Sequence, residues 1–258
     1  MVNVKNPAQI EKMRTSGQLL YEVLQRLREM VQPGITTEDI NRLAHKLITE
    51  NHAVPSFLNY KGFPKSLCTS LNEHVVHGIP DDTHLREGDI IGIDCGLILD
   101  GWHADSAFTV GVGTISAEAQ RLIDETERCF WIGARNAVKG NRIGDIGHAV
   151  SSYAHSKGYD AVHALTGHGI GRHMHEDPEV PNFGTAGKGL RLMQGMTIAI
   201  EPMITQGTFE VDFDGWIVKT RDRKLCSHYE HTMAVTVGGL PDILTLPREL
   251  ALKGLADG

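Results

Sequence analysis

The sequence has few of the features that mark secreted, membrane-spanning or zinc-finger proteins. Its 258 residues include only four cysteines, and no two of them form a CxxC pair. This excludes a zinc ribbon or finger and indicates free thiols in a reducing compartment. No apolar run approaches the ~20 residues that a membrane-spanning helix requires, and the N-terminal segment has no apolar core of the signal-peptide type. We therefore expect a cytoplasmic protein with no membrane partner.

Charge and motif content exclude two further classes of protein. The net charge of −7 argues against a general nucleic-acid binder, which needs a basic face. The chain contains no GxGxxG motif and no alternation of strands with helices, so a dinucleotide-binding Rossmann domain is also excluded. A hydrophobic content of 41% and a charged content of 22% are ordinary for a globular protein with a large core.

Four amphipathic helices are predicted from the spacing of apolar residues. Residues 8–31 have an apolar residue every three or four positions, which is typical of a helix with one buried stripe. Thr36 and Asp39 resemble a capping box at the start of a second helix. Ser116 is the expected N-cap of a third helix, and residues 144–157 are predicted to form the fourth.

The order of these elements predicts an α+β protein. Strand-like segments follow each pair of helices, with residues 166–178, TGHGIGRHMHEDP, expected as a glycine-rich loop among the later ones. Because helices are segregated from largely antiparallel strands, the pattern favours α+β over α/β. No low-complexity linker divides the chain, so we expect one domain, 1–258, with two similar halves at about 8–115 and 116–250.

Two acidic residues lie inside an apolar hairpin that spans residues 88–111. Asp100-Gly101 is a strong two-residue turn signal, and such a turn places Asp94 opposite Ala107. Asp105 is then the diagonal neighbour of Asp94 on the same face of the sheet, at a Cα distance of roughly 7–8 Å. Two carboxylates that point from apolar strands toward one place require a cation or a shared proton.

The second half of the chain repeats this placement of acids in apolar strands. Glu201 is expected within the strand TIAIEPMI and Glu230 within CSHYEHTMAVTV, and His77, His168 and His175 lie beside glycine-containing turns. Taken singly, each acid has an ordinary interpretation as a solvent-facing strand residue, and each histidine as a turn or core residue. Taken together, four carboxylates and a histidine indicate a two-metal centre, because two divalent ions offset four negative charges. A proton-sharing acid cluster or a calcium site would leave the histidines unexplained.

Five segments of the chain are similar to those of a known family. HGIPDD, GIDCGLILDGWHADSAFTVG, TGHGIGRHMHEDP, AIEPM and YEHTMAVT resemble the type 1 methionine aminopeptidases of bacteria, in order and spacing, from about Lys12 to Leu246. The resemblance implies the pita-bread fold, in which two pseudo-symmetric α+β halves surround a dinuclear metal site. It also implies the removal of N-terminal methionine from nascent proteins and peptides, preferably before a small second residue.

The resemblance assigns roles to the acids and histidines. It implies that Asp105 and Glu230 bridge two ions, that Asp94 binds one of them, and that His168 and Glu201 bind the other. A hydroxide between the ions would attack the peptide carbonyl, with Glu201 as a proton shuttle. The resemblance further implies that His175 stabilises the oxyanion and that His77 contacts the substrate backbone and helps to protonate the leaving amine.

The resemblance also implies a methionine pocket, two cofactor ions and a set of partners. The pocket residues would be Phe57, Tyr60, Phe63, Cys68, Met174 and Trp216, of which Phe57, Phe63 and Met174 differ from residues frequent in the family. Oxygen-rich ligation with one imidazole favours manganese, iron or cobalt. We expect a monomer that acts on nascent polypeptide N-termini near the ribosome and binds no specific nucleic acid.

Two alternative functions are weighed against this prediction. An aminopeptidase P or prolidase would share the five ligands, but those enzymes usually carry an additional N-terminal domain. A non-catalytic binding protein of the same fold is the alternative from a different class, and it would be expected to have lost ligands that are all present in this chain.

Overall fold

Helices and antiparallel strands alternate in blocks along the chain. The computed structural model of the protein describes residues 2–257. The helices are α1 Pro7–Met30, α2 Thr37–Glu50, α3 Ala117–Ala134, α4 Ile143–Ser156 and α5 Arg248–Asp257. The strands are β1 Val54–Pro55, β2 Leu67–Leu71, β3 His74–Val76, β4 Ile90–Leu99, β5 Trp102–Gly111, β6 Asp160–Ala161, β7 Thr166–Gly169, β8 Glu176–Pro181, β9 Thr197–Ile200, β10 Met203–Thr205, β11 Val211–Asp214, β12 Ile217–Thr220, β13 Cys226–His228, β14 Glu230–Ala234 and β15 Asp242–Ile243.

Local capping interactions determine where the first helices begin. The side-chain oxygen of Asn6 accepts a hydrogen bond from the Gln9 N–H, and the Gln9 side-chain oxygen accepts one from the Asn6 N–H. Thr36 and Asp39 form the same reciprocal arrangement at α2, as the sequence predicts. Such capping boxes satisfy backbone donors that have no partner within the helix.

One nine-stranded sheet runs through both halves of the molecule. Its main path is β1-β4-β5-β14-β9-β7-β8, with β2 also paired to β4 and β15 to β14. Strand β5 of the first half pairs directly with β14 of the second, with Ala107 opposite Glu230. Because the halves share hydrogen bonds, residues far apart in sequence reach one face of the same sheet. The α+β prediction is confirmed.

The helices cover this sheet with two principal apolar cores. In the first, α1 and α2 pack on β4 and β5 through residues such as Leu24, Ile40 and Ile93. In the second, α3 and α4 pack on β9 and β14 through residues such as Phe130 and Ile198. Within residues 2–257, no helix combines the length and apolarity that a membrane crossing requires.

Three local expectations from the sequence were wrong or incomplete. Within the stretch 166–178, only residues 170–175 form the expected loop, because Thr166–Gly169 form β7 and Glu176 begins β8. The glycines of β7 permit close strand packing: a Cβ at Gly167 would collide with the carbonyl oxygen of Ala199. Strand β9 ends at Ile200, so Glu201 lies just beyond it, where Pro202 has no N–H to continue the ladder. Helix α5 was not predicted, because it buries only two residues, Ala251 and Leu255.

Candidate metal centre and active site

The opening hairpin brings two carboxyl groups to the same face of the sheet. Leu99 pairs with Trp102 around a two-residue turn, and in the resulting register Asp94 lies opposite Ala107 and Asp105 opposite Gly96. Asp94 and Asp105 are therefore diagonal neighbours, as the turn signal at residues 100–101 predicts. Ala107 leaves space between them because its side chain is a single methyl group.

A row of paired residues crosses four strands at this level. Cys68 on β2 lies opposite Asp94, Asp94 opposite Ala107, and Ala107 opposite Glu230 on β14. Residues at paired positions point to the same face of a sheet. The row therefore places a thiol and two carboxyl groups side by side, and Asp105 lies two residues from Ala107 on that face.

The later strands add a histidine and a fourth acid to the same place. His168 pairs with Ala199, two residues before Glu201. The Nε2 atom of His168 lies 3.8 Å from Oδ2 of Asp105 and 3.7 Å from Oε1 of Glu201. The structure thus brings together Asp94, Asp105, His168, Glu201 and Glu230, which line one cavity.

The acids of this cluster are partly or fully buried, and several of their oxygen atoms have no hydrogen-bond partner among the described residues. Within residues 2–257, buried oxygen atoms of Asp94, Asp105 and Glu230 have no hydrogen-bond partner. Burial raises the pKa of Asp105 to about 7, and burial together with the neighbouring acids raises the pKa values of Asp94 and Glu230 well above their usual range. Burial and the charge of Asp105 do the same to the pKa of Glu201. Orphaned carboxyl oxygens that face one another fit bound cations, which would offset the repulsion.

His168 is held in the form that a metal ligand needs. Its Nδ1 atom lies 2.8 Å from the carbonyl oxygen of Gly169, and a carbonyl only accepts hydrogen bonds, so Nδ1 carries the proton. Burial lowers the pKa of His168 to about 4, which keeps the ring neutral at pH 7. The lone pair of Nε2 therefore faces the carboxyl groups, an orientation typical of metal-binding histidines.

His175 and His77 both line the same cavity. Nδ1 of the exposed His175 is 2.9 Å from the phenolic oxygen of Tyr60, and desolvation of its ring by the cavity walls, with His168 nearby, lowers the His175 pKa. His77 follows β3 with a left-handed backbone, φ +61°, and meets Trp216 edge to face at a centroid distance of 6.3 Å. Burial also lowers the pKa of His77. Both histidines are therefore neutral at pH 7.

An apolar pocket adjoins the acid cluster. Phe57, Phe63, Cys68 and Met174 form a buried cluster against which Tyr60 and Trp216 pack. The structure thus brings together all six residues of the expected methionine pocket. They line, with the acids and histidines, a cavity of about 180 Å³. Lys61 also lines it, a residue that the sequence analysis did not single out.

A second buried histidine was missed. His228 is 4% exposed, and its Nε2 lies 3.8 Å from Oε2 of Glu201 and 3.7 Å from Oε2 of Glu230. The signal that could have found it is strand alternation, since His228 precedes Glu230 by two positions and so points to the same side.

A buried ion pair supports the loop that carries Met174 and His175. Nζ of Lys5 lies 2.6 Å from Oε2 of Glu176, with side-chain exposures of only 5% and 3%. The other carboxylate oxygen of Glu176 accepts a hydrogen bond from the His173 N–H at 3.2 Å. The N-terminal segment therefore fixes the end of the loop nearest the cavity.

Comparisons with known proteins agree with this arrangement. Residues 11–237 match the profile of the metallopeptidase family M24. A methionine aminopeptidase of Clostridium perfringens is 49% identical over 248 residues, which are 95% of this chain and 99% of that protein. The crystal structure of methionine aminopeptidase from Rickettsia prowazekii superposes with a TM-score of 0.94 at 42% identity, over 95% of this chain and 100% of that one.

A more distant match concerns the fold alone. The prolidase from Pyrococcus furiosus has a TM-score of 0.76 at 18% identity, over 95% of this chain and 65% of that one. The two proteins share an architecture, but the prolidase chain extends well beyond the part that is matched.

Proposed function

The chain belongs to metallopeptidase family M24 and acts as a methionine aminopeptidase, and we propose that its catalytic centre is the acid cluster beside the apolar pocket. The pita-bread fold and the peptidase activity expected from the sequence are confirmed by full-length relatives. We further propose that residues 1–258 form one catalytic domain with pseudo-repeats at about 8–115 and 116–250. The observation that carries the assignment of the site is the convergence on one cavity of two buried carboxyl groups, Asp105 and Glu230, two half-buried ones, Asp94 and Glu201, and the neutral His168.

The residues present fit divalent metal ions, because their orphaned oxygens and the His168 lone pair face one another. We propose that Asp105 and Glu230 bridge two ions, that Asp94 binds one, and that His168 and Glu201 bind the other. When bound, the ions supply positive charge that offsets the carboxylates, polarises a peptide carbonyl and lowers the pKa of a water molecule. The donor set is rich in oxygen, which favours cobalt, manganese or iron.

His175 is placed to stabilise negative charge on the carbonyl oxygen of the scissile bond. When the Tyr60 hydroxyl donates its proton to Nδ1 of the neutral ring, Nε2 carries the remaining hydrogen. That N–H then donates to the substrate oxygen, and its hydrogen bond strengthens as charge develops in the transition state.

Glu201 and His77 are proposed to move protons and to position the peptide. We propose that the carboxyl group of Glu201, which lies 3.7 Å from Nε2 of His168, accepts the proton of the attacking water. His77, which lines the same cavity, contacts the peptide backbone and helps to protonate the leaving amine. The substrate is thus bound between His77 and His175.

The pocket accounts for the preference for methionine. Aromatic rings and the sulfur of Cys68 and Met174 surround a slot that suits an unbranched, polarisable thioether. We propose that a free α-amino group binds beside the acids and that a small second residue is preferred. Nascent polypeptides with such N-termini are the proposed substrates, and the proximity to the ribosome, the cytoplasmic location and the monomeric state stay predictions.

Hydrolysis of two peptide series tests this function. The metal-free enzyme, reconstituted separately with manganese, iron or cobalt, is expected to release methionine from Met-Gly peptides and to leave Xaa-Pro peptides intact. Metal analysis of each sample should give two ions per chain. Turnover of Xaa-Pro peptides alone would favour a prolidase, and binding of either series without turnover would favour a non-catalytic protein.

A further inference from the structure

We propose that His228 is a sixth ligand of the metal centre, so that each of the two ions has its own imidazole. This inference rests on the proposed two-metal function and adds a residue to its five ligands. His228 lies at the end of β13, separated from Glu230 only by Tyr229, and its ring reaches the same buried space as the four acids.

The position of His228 repeats that of His168. His168 Nε2 lies 3.8 and 3.7 Å from oxygen atoms of two acids, and His228 Nε2 lies 3.8 and 3.7 Å from oxygen atoms of Glu201 and Glu230. These separations exceed the 2.7–3.2 Å of an N–H···O hydrogen bond. Donors that each lie about 2.0–2.2 Å from one ion are at most ~4.4 Å apart, so the 3.7 Å between His228 and Glu230, the acid proposed to contact both ions, suits two ligands of one ion.

The burial of His228 removes the alternative of a solvent-facing histidine. The residue is 4% exposed, and within residues 2–257 its Nε2 atom has no hydrogen-bond partner. A buried ring nitrogen without a partner is unfavourable unless it binds something. Oε2 atoms of Glu201 and Glu230 lie 3.8 and 3.7 Å from this nitrogen, and the other carboxyl oxygen of Glu230, Oε1, is buried without a partner in that part of the chain as well. A cation beside Glu230 would satisfy both the ring nitrogen and the carboxyl group.

The grouping of donor atoms indicates which ion His228 would bind. Donor atoms of Asp94, His228 and Glu230 all lie within 4.8 Å of one another, and so do those of Asp105, His168 and Glu230. Glu230 is common to both groups, and each group contains one histidine. We therefore assign His228 to the ion that Asp94 binds, and a second imidazole shifts the preference of the centre from manganese toward iron or cobalt.

The experiment counts histidine ligands directly. Protein labelled with ¹⁵N-histidine is loaded with one and then two equivalents of Co²⁺, and hyperfine-shifted imidazole resonances are recorded by NMR. The wild type is expected to show two metal-bound imidazoles at two equivalents, and His228→Gln only one. Calorimetric titration of the metal-free His228→Gln variant with Co²⁺ should show that the affinity of one site is at least tenfold lower than in the wild type, as is common for altered metal sites. In a titration with Mn²⁺, the affinity should fall by less.

His231→Gln is the matched control. His231 is a buried histidine on β14 that points away from the acids and bonds to Ser106 and Thr245, so its replacement should leave both Co²⁺ affinities unchanged. Circular dichroism establishes that the metal-free variants are folded. If His228→Gln does not fold, the number of shifted imidazoles in the wild type decides the question.

Suppose that the wild type binds two Co²⁺ ions and cleaves Met-Gly peptides but shows only one shifted imidazole. This result would overturn the assignment of His228 and leave the proposed function intact. Unchanged Co²⁺ affinities in a folded His228→Gln variant would do the same. A wild type that binds no ions, or that does not release methionine, would contradict the proposed function instead.

Discussion

The phenolic oxygen of Tyr60 and Nδ1 of His175 are joined by a hydrogen bond of 2.9 Å, and their rings stack at a centroid distance of 5.3 Å. Tyr60 precedes β2 in the first half of the chain, whereas His175 lies in the loop between β7 and β8. A residue of the apolar pocket therefore orients a candidate catalytic residue from the other half. In the proposed function, this contact would link the binding of the methionine side chain to the position of the oxyanion donor.

Replacement of His175 should impair the chemistry and spare the metal centre. We expect His175→Ala to lower kcat by about 100-fold or more, since loss of an oxyanion donor costs roughly 3–4 kcal/mol, with metal content close to that of the wild type. Steady-state kinetics and metal analysis check this. His173→Ala, two residues earlier and exposed, is the control and should retain activity. Loss of metal in His175→Ala would make His175 a ligand instead.

Tyr60→Phe isolates the hydroxyl group because it preserves the aromatic stack. A neutral hydrogen bond contributes about 0.5–1.5 kcal/mol, so kcat should fall by roughly 2- to 12-fold with little change in KM. The double variant Tyr60→Phe, His175→Ala should be no slower than His175→Ala alone, because Tyr60 acts through His175. Additive losses in the double variant would show that Tyr60 acts independently.

Asp105 should be indispensable for metal binding. Asp105→Asn keeps the shape of the side chain but removes one negative charge from a buried cluster, and we expect turnover to be abolished and one or both ions to be lost. Asp100→Asn in the exposed turn of the same hairpin is the control, since asparagine tolerates the left-handed backbone at φ +50°. Normal turnover by Asp105→Asn at limiting metal would refute the proposed ligand set.

The buried pair Lys5–Glu176 should stabilise both the fold and the active-site loop. Lys5→Met leaves the Glu176 carboxylate without its cation, and breaking such pairs typically costs about 3–5 kcal/mol. We expect a lower free energy of unfolding in urea and a higher KM, because the loop bearing Met174 and His175 loses its support. The double variant Lys5→Met, Glu176→Gln should recover part of the stability. A double variant less stable than Lys5→Met would contradict this account.

The contribution of the acid cluster to the stability of the metal-free protein should fall as the pH rises from about 6 to 8, through the pKa of Asp105. Burial raises the pKa of Asp105 to about 7 and those of Asp94, Glu201 and Glu230 well above their usual range. In this window the folded state holds protons that the unfolded state has released, so unfolding becomes more favourable as the pH rises. Below pH 7 the contribution of His168 to stability changes in the opposite direction. Its ring is buried and neutral, with a pKa of about 4, so its contribution to stability rises with pH.

Thermal unfolding in the presence of a chelator measures this effect. Relative to that of Asp105→Asn, whose amide does not titrate, the melting temperature of the wild type should fall by a few degrees across the window, since 1 kcal/mol corresponds to roughly 2–4 °C in a protein of 150–250 residues. Cobalt-loaded protein should show a smaller change, because bound cations remove the repulsion among the acids. A wild-type melting temperature that is constant or rises relative to that of Asp105→Asn between pH 6 and 8 without metal would contradict the burial of an ionisable acid at residue 105.

Some of the site was predictable because the relevant interactions are local. The two-residue turn at residues 100–101 determines the pairing of Asp94 with Ala107, so the diagonal placement of Asp94 and Asp105 follows from the hairpin itself. The capping box of Thr36 and Asp39 likewise depends on neighbouring residues.

Other features were missed because they depend on distant contacts. The glycines before and after His168 resemble loop residues, yet they allow β7 to approach Ala199 and the backbone of residue 177 closely. His228 was overlooked because strand alternation relates it to the side of Glu230 but does not show which other acids lie on that side. Its proximity to Glu201 arises where β13 and β14 meet the end of β9.

The sequence alone therefore determined the first four helices, the hairpin register, the α+β class and the family, because periodicity, caps, turns and motifs depend on neighbouring residues. Only the tertiary structure decided that Asp94, Asp105, His168, Glu201 and Glu230 meet in one cavity, and that His228 lies beside Glu201 and Glu230. That convergence depends on the pairing of β5 with β14 and of β7 with β9. Such pairings depend on packing and hydrogen bonds between residues more than 100 positions apart for β5 and β14, which no short stretch of sequence specifies.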